Sequence, residues 1–512
     1  MPDLRVRDPD PGLYNEDIRP TGPQERHWSV LNMASLWIGM VVCVPTYTLA
    51  ASLIKEGMSW WQAVMTIMLG NVIVLVPMVL NGHAGTKYGV PFPVLARASF
   101  GIKGAHIPSL LRALVACGWF GIQTWFGGFA VYQLLGALLG DVLVGPDLPV
   151  FGINAGELAC FVLFWVLQLV IIYRGVESIR LLETVAAPFL IGIGLLLLVW
   201  AYSAAGDFSV MLANEGAFGP GGAKEGQFLS VFVPSLTAMV GYWATLSLNI
   251  PDFTRYARSQ RDQVLGQALG LPTTMTLFAF ISVAVTSATT VIFADPQTGA
   301  LAEPIWDPTI LAGKIGGGFT VAVSLLALAI ATLSTNIAAN VVSPANAMIN
   351  AAPEKVSFRL GGYITAGLGF AIFPWKLIET TGGYIFTWLV GYSALLGPIG
   401  GILIADYYLL RKTELDVDGL YHRAGPYAYS RGFNRAALVA FAVGVLPNIP
   451  GFLHQAGAIG DGVIPAVFDD VYTYAWFVGF LLSGGLYLAL MRMWYPDSGP
   501  AVPRPLQQEA SP

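Results

Sequence analysis

Apolar runs of about 20 residues recur along this chain from Trp28 to Met493, with short polar segments between them. An α-helix needs about 20 apolar residues to cross the ~30 Å hydrocarbon core of a bilayer. The 512 residues are 55% hydrophobic and only 11% charged, less than half of the roughly 25% charge typical of soluble domains. The pattern predicts an all-α integral membrane protein and excludes an ordinary soluble enzyme.

Twelve transmembrane helices are predicted from these runs. The predicted spans are 28–54, 58–81, 107–138, 156–174, 178–203, 228–257, 264–293, 314–351, 358–374, 379–410, 433–455 and 470–494. Cytoplasmic loops of membrane proteins carry an excess of Lys and Arg. With the N-terminus inside, all of the 26 Lys and Arg residues fall on inner segments except Lys55, Lys224, Lys314 and Lys376. That asymmetry favours an even number of helices.

We therefore expect a multi-pass protein of the inner or plasma membrane with both termini in the cytoplasm. The first 26 residues hold no apolar core beside a small-residue cleavage site, so no cleaved signal peptide is expected. The expected parts are an N-terminal tail (1–27), a ten-helix core (28–412), a cytoplasmic loop (413–432), helices 11 and 12 (433–494) and a C-terminal tail (495–512).

Two predicted helices carry helix-breaking residues. Pro45 in the first helix lacks a backbone N–H and frees carbonyls one turn earlier. The sixth helix contains Gly241, where a second break is predicted. Breaks at matching positions of two five-helix halves are typical of an inverted repeat with substrate and ion sites at the bilayer midplane. Pro and Gly are also common in ordinary membrane helices, which is the alternative interpretation.

Polar side chains inside two helices indicate where a site lies. Trp119 and Gln123 are four residues apart, so they share one face of the third helix. A Gln without partners in a bilayer costs several kcal/mol, so it should face a cavity or another helix. Ser334 and Thr335 in the eighth helix can meet one cation beside the carbonyls freed in helix 1, and hard oxygen ligands suit sodium. Packing of the Gln and back-bonding of the hydroxyls to their own helix remain the alternatives.

Several longer strings carry a family resemblance. They are YNEDIRP, NGHAGTKYG, FPVLARASFGIKGA, GWFGIQTW, WATLSLNIPDFTRYA, STNIAANVVSPA and LGPIGGILIADYYLLRK. Together they resemble the nucleobase-cation symporter-1 family, most closely its bacterial uracil, allantoin and hydantoin permeases, and they run in order from residue 14 to residue 412. The resemblance implies a LeuT-like five-plus-five inverted repeat, with broken helices 1 and 6, that works by alternating access.

The resemblance also implies roles for particular residues. Trp119 and Trp243 would hold a ring between them, Gln123 and Asn340 would bond its amide edges, and the Gly241 backbone would add a polar contact. Cys43 stands where the characterised hydantoin carrier can have an amide, which leaves the substrate open. The implied sodium ligands are the carbonyls of Gly39, Val42 and Ala331 with the hydroxyls of Ser334 and Thr335. Leu389 resembles the outer gate.

The expected function is import of a neutral nitrogen heterocycle such as uracil, allantoin or a hydantoin by symport with sodium. The central parts of helices 1, 6 and 8 contain no Asp, Glu or His, so no proton carrier is evident there. Proton coupling is the first alternative, and an amino-acid carrier of the same fold is the second. We expect no enzymatic activity, no cofactor, no nucleic-acid partner and a functional monomer in the bilayer.

Overall fold

The computed structural model describes residues 6–174, 176–213, 215–315, 318–377 and 387–500. Within these residues the regular elements are helices, and extended pairing is limited to isolated bridges such as Trp28 with Ala257. A helix satisfies its backbone hydrogen bonds internally, which is what a segment crossing lipid requires. The predicted all-α class is confirmed.

The first apolar run forms two helices, α1 (Val30–Val41) and α2 (Val44–Lys55), bent by 59° at the break between them. Pro45 cannot donate to the carbonyl of Val41 four residues earlier. That carbonyl instead accepts from the Cys43 N–H over 2.9 Å, and Cys43 itself is extended (φ −146°, ψ 166°). The predicted break in helix 1 is confirmed.

Short helices lie at Phe208–Met211, Pro251–Thr254, Pro308–Lys314, Pro374–Leu377 and Val467–Thr473. The other helices follow the predicted spans, except that predicted helices 8 (314–351) and 11 (433–455) are each divided in two and predicted helix 6 (228–257) ends at Asn249. They are α3 (Trp60–Tyr88), α4 (Phe92–Phe100), α5 (His106–Leu139), α6 (Ala155–Arg174), α7 (Val176–Ala205), α8 (Phe228–Asn249), α9 (Gln260–Ile292), α10 (Gly318–Asn340), α11 (Val342–Ala351), α12 (Phe358–Ala371), α13 (Val390–Ile404), α14 (Arg435–Val445), α15 (Ile449–Gln455) and α16 (Ala475–Trp494). Helix α4 was not predicted, because its 9 residues are too few to cross a bilayer. The predicted beginning of helix 10 at 379 lies outside the described residues.

Nine helical spans in the described ranges are long and apolar enough to cross a membrane, and the bent α1–α2 pair makes a tenth. The segment Ile191–Ala205 adds a shorter apolar stretch. The total of twelve helices and the division into tails, core and loop stay predictions.

The predicted break at Gly241 is wrong, since α8 runs without interruption from Phe228 to Asn249. A Cβ placed on Gly241 would collide with the Ser393 hydroxyl and lie 3.0 Å from the Leu389 carbonyl oxygen. The missing side chain therefore lets α8 and α13 approach each other closely. Glycine serves helix packing at this position and does not break the helix.

Two prolines end helices where the site residues need them. Pro251 follows α8, and the Ser247 carbonyl that it cannot pair with accepts from the Asn81 side-chain amide over 2.7 Å. Pro344 cannot donate to the Asn340 carbonyl, and α10 ends at Asn340. Asn340 is thereby placed at a helix end.

The N-terminal segment and the end of α16 lie on one face of the bundle, which we call the terminal face. The Asp10 N–H donates to the Tyr421 carbonyl over 3.0 Å, and the hydroxyls of Ser430 and Tyr495 are 3.3 Å apart. Tyr421 and Ser430 both belong to the loop before α14. Both described ends therefore lie beside this one loop, and the even number of crossings stays a prediction.

Candidate functional site

Aromatic side chains from four helical segments meet at the centre of the bundle. Trp119 of α5 and Trp243 of α8 are only 5% and 3% exposed. The Tyr242 ring contacts both indoles in near-perpendicular geometry, with centroids 5.3 Å from Trp119 and 4.9 Å from Trp243. Trp37 of α1 lies 5.3 Å from Trp243, and Trp388 lies 6.0 Å from Trp119. The two predicted ring-holding indoles therefore belong to one cluster, linked by a tyrosine that was not predicted.

Two buried polar atoms of predicted site residues have no hydrogen-bond partner among the described residues. They are the Oε1 of Gln123 and the Nε1 of Trp243. Gln123 is 3% exposed, and its Nε2 lies 3.9 Å from the Cys43 sulfur. A buried polar group left unpaired costs about 1–3 kcal/mol. An acceptor and a donor held in this way are suited to a polar ligand.

Cys43, at the break of helix 1, lies beside two hydroxyl groups, one from α2 and one from α8. The Cys43 sulfur is 3.3 Å from the Thr46 hydroxyl and 3.7 Å from that of Tyr242, and the two hydroxyls are 2.9 Å apart. Tyr242 and Thr46 were missed from the sequence. Tyr242 is next to Trp243, and sequence gives no signal for which of two adjacent aromatic residues faces the break.

Asn340 is held by a chain of side-chain amides. Its Nδ2 donates to the Oδ1 of Asn336 over 3.0 Å, and the Nδ2 of Asn336 donates to the Oε1 of Gln168 over 2.6 Å. Gln168, on α6, is fully buried and was not predicted as a site residue. A lone Gln in an apolar helix was the only signal that could have marked it.

Two of the five predicted sodium ligands meet where α10 passes α1. The Thr335 hydroxyl donates to the Gly39 carbonyl over 3.0 Å, which joins two members of the predicted set directly. The other three, Val42, Ala331 and Ser334, are all buried. The set supplies neutral carbonyl and hydroxyl oxygens, the hard donors that alkali and alkaline-earth cations take. This donor chemistry fits sodium.

Leu389, the residue just before α13, packs against Gly241 of α8. Leu389 is fully buried, and its carbonyl accepts from the Ser393 hydroxyl over 2.6 Å. Its neighbour Trp388 contacts Trp119. Leu389 is thus close to the aromatic cluster, and its role as a gate stays a prediction.

A cavity of about 290 Å³ opens on the terminal face. It is bounded by α1, α10, α11 and the N-terminal segment, and it extends to Leu36 and Ala338. Leu36 precedes Gly39, and Ala338 follows Thr335, by one helical turn. The cavity therefore ends about one turn from the predicted sodium ligands.

Two buried charged side chains, Arg112 and Asp252, lie near the end of α8. Arg112 of α5 is fully buried and donates to the Thr245 carbonyl (3.1 Å), the Asn249 side-chain oxygen (2.9 Å) and the Ala339 carbonyl (3.2 Å). Asp252 lines the cavity just beyond the end of α8 and accepts from the Phe92 N–H over 3.0 Å. Burial raises the pKa of the Asp252 carboxyl to about 6. The Arg112 contacts tie α5, α8 and α10 together.

Comparison with known proteins decides the family. A family profile described as "Permease for cytosine/purines, uracil, thiamine, allantoin" matches residues 20–479. The purine-uracil permease NCS1 of Arabidopsis thaliana is 48% identical over 94% of this chain and 78% of its own length. The chain belongs to the nucleobase-cation symporter-1 family. The allantoin permease of Bacillus subtilis is 40% identical over 95% of this chain and 94% of its own length.

Membership in this family fixes the class of protein. The family transporter Mhp1, solved in a closed conformation with bromovinylhydantoin bound, superimposes with a TM-score of 0.75. The two are 25% identical, with 94% of this chain and 96% of Mhp1 covered. The chain is therefore a multi-pass membrane transporter of the nucleobase, allantoin and hydantoin type with a LeuT-like fold, and not an enzyme.

Proposed function

We propose that this protein imports a neutral nitrogen heterocycle such as uracil, allantoin or a hydantoin together with sodium, by alternating access. One observation carries the proposal. Unpaired buried polar atoms of Gln123 and Trp243 lie in an aromatic cluster, next to a helix break whose Gly39 carbonyl already meets the Thr335 hydroxyl. The proposed ring site and the proposed cation site are thus adjacent.

The chemistry of the cluster supports a flat, uncharged ring. Trp119 and Trp243 offer aromatic faces, and stacking on such faces contributes about 1–3 kcal/mol per base. Gln123, Asn340 and Cys43 carry no charge. Relatives are named for purines with uracil, for allantoin and for hydantoin, all of them ring compounds with N–H and C=O edges. A neutral ring therefore fits better than a zwitterionic amino acid.

Sodium is the proposed coupling ion. In the structure the Thr335 hydroxyl donates to the Gly39 carbonyl. A cation between these two oxygens would be bound by both once the hydroxyl proton turned away. Val42, Ala331 and Ser334 supply the further oxygens of the proposed set.

The proposed inward direction of transport rests on the distribution of basic residues and on the position of the cavity. All but four of the 26 basic residues belong to the segments placed inside when the N-terminus is cytoplasmic. The terminal face, which carries the N-terminal segment, is then the cytoplasmic face. The cavity on that face approaches Gly39 and Thr335 and is the proposed inward exit route, and Leu389 is the proposed outer gate. We propose a functional monomer.

Uptake by purified protein in sealed vesicles tests the proposal. Labelled uracil, allantoin and hydantoin would be presented under an inward sodium gradient, under choline and under an inward proton gradient. One sodium ion gains about 2.3 kcal/mol from ~100 mV and about 1.4 kcal/mol from a tenfold gradient. Together these terms can sustain a ring concentration inside the vesicle roughly 500-fold above that outside.

Each outcome of this assay has a distinct meaning. Accumulation of at least one ring above its outside concentration only with sodium is the expected result. Accumulation that follows the proton gradient would replace sodium by protons. Equilibration without accumulation would exclude coupling, and no uptake of any of the rings would exclude the proposed substrate class.

A further inference from the structure

A directional chain of hydrogen bonds runs from a backbone carbonyl to Asn340. It begins at the Phe120 carbonyl of α5, which accepts from the Thr124 hydroxyl over 2.6 Å. The Gln168 Nε2 then donates to the Thr124 oxygen over 2.9 Å. Gln168 Oε1 accepts from Asn336, and Asn336 Oδ1 accepts from Asn340, as described above.

The first acceptor fixes the direction of every later bond. A carbonyl oxygen can only accept, so the Thr124 hydroxyl must give its one proton to Phe120. Its oxygen can then only accept, and it does so from the NH₂ of Gln168 and, over 3.3 Å, from that of Asn336. The amide oxygen of Gln168 must face Asn336, whose NH₂ also reaches the Phe120 carbonyl over 3.0 Å. The hydrogen-bond network therefore sets the orientation of each amide in the chain.

Asn340, at the end of the chain of bonds, has a side-chain oxygen that is available to a ligand. Because one N–H of the Asn340 Nδ2 donates to Asn336, the orientation of the amide is fixed and its oxygen Oδ1 is the acceptor available to a ligand. This oxygen accepts no hydrogen bond within the described part of the chain, although Asn340 is only 5% exposed. An amide free to rotate would offer a ring either a donor or an acceptor. A fixed amide keeps its oxygen on the side away from Asn336, because a flip would lose the bond that one of its two N–H groups makes there.

We propose that Thr124, Gln168 and Asn336 are positioning residues that hold Asn340 with its oxygen toward the ring. This proposal rests on the proposed function, which puts Asn340 against the substrate. The site then selects rings that present an N–H at this edge, as an imide or ureide does, and disfavours rings with a bare nitrogen there. Gln168 gives α6, a helix that supplies none of the predicted ligands, a part in specificity.

A double-mutant cycle tests the chain of bonds. Labelled uracil, allantoin and hydantoin are first tried on the purified parent, and the one that binds best is the probe. Thr124→Val removes the first donor while keeping the shape of the side chain, and Thr124→Ser keeps the hydroxyl. Asn340→Ala removes the end of the chain. The matched control is Gln267→Met on α9, which removes a buried amide that is bonded to Gln263 and has no part in the chain.

Fold-changes in probe affinity decide the result. Thr124→Val and Gln168→Met should each weaken binding about tenfold, the cost of one lost hydrogen bond to a buried group. Thr124→Ser and Gln267→Met should stay within about twofold. In the Asn340→Ala background, Thr124→Val should change affinity by less than about twofold, because coupled residues are not additive.

Three results would overturn the proposal. The first is additive effects of Thr124→Val and Asn340→Ala. The second is an equal loss with Thr124→Ser. The third is parental affinity in Gln168→Met. Melting temperatures of the variants identify any that fail to fold, and the Thr124 and Gln168 variants test the same chain independently. A parent that binds none of the three rings would refute the proposed function instead, which keeps the two failures distinct.

Discussion

Replacing Gln123 with leucine is expected to separate stability from ring binding. The amide is 3% exposed, its Nε2 has only a distant contact with the Cys43 sulfur, and its Oε1 has no partner in the described residues. An unpaired buried acceptor costs about 1–3 kcal/mol. Leucine is close in size and has no polar atom. The ligand-free variant should therefore be more stable than the parent by about 1–3 kcal/mol.

Ring affinity should change in the opposite direction. The Gln123 oxygen is proposed to pair with the bound ring, so its removal should weaken binding by about 5- to 150-fold. Thermal unfolding of the purified protein without ligand measures the first effect. Equilibrium binding of labelled uracil, allantoin and hydantoin measures the second.

Gln168→Leu is the matched control for stability. Gln168 is buried like Gln123, but both ends of its amide are bonded, over 2.9 Å to Thr124 and 2.6 Å to Asn336. This variant should be less stable than the parent, because it leaves bonded partners unpaired. A Gln123→Leu variant that is less stable and binds the ring as tightly as the parent would refute the reasoning and make Gln123 a packing residue.

Three further predictions concern the ring, the ion and pH. Trp243→Ala should weaken ring binding by about 5- to 150-fold, since stacking is worth ~1–3 kcal/mol per base; unchanged affinity in the folded variant would remove Trp243 from the site. In the parent, sodium should raise ring affinity by about 5- to 150-fold, and the double variant Ser334→Ala with Thr335→Ala should abolish this effect. The control Thr332→Ala removes a hydroxyl that bonds its own helix and should keep the sodium effect. Loss of the effect in the control as well would indicate a helix defect. Burial raises the pKa of Asp252 to about 6. The stability that its protonated form contributes is therefore full below pH ~4 and is lost as pH rises through about 6. From pH 5 to 7 the melting temperature should fall more in the parent than in Asp252→Asn, and parallel curves for the two proteins would contradict this.

Sequence predicted one helix break correctly and one wrongly, for different physical reasons. Pro45 removes a backbone donor wherever it stands in a helix, so its effect is local and readable from sequence. Gly241 removes only a side chain. Whether that breaks a helix or admits a neighbour depends on what packs there, and here it is Ser393 and Leu389 of the α13 segment.

The candidate site was predictable where a local rule applied. The i, i+4 spacing placed Trp119 and Gln123 on one face, and the adjacent hydroxyls drew attention to Thr335, which meets Gly39. Tyr242 and Gln168 could not be found in this way. Their roles depend on the meeting of α8 with the helix 1 break and of α6 with α10, which are tertiary contacts between segments far apart in sequence.

The most direct test of sodium-coupled ring transport is the affinity of the purified parent protein for the ring, titrated in sodium and in choline at several pH values. Linkage requires two coupled ligands to raise each other's affinity by the same factor. Sodium should therefore raise ring affinity by about 5- to 150-fold at every pH. Equal affinity in both salts, with uptake that follows a proton gradient, would contradict the account and leave Ser334 and Thr335 as helix-packing groups.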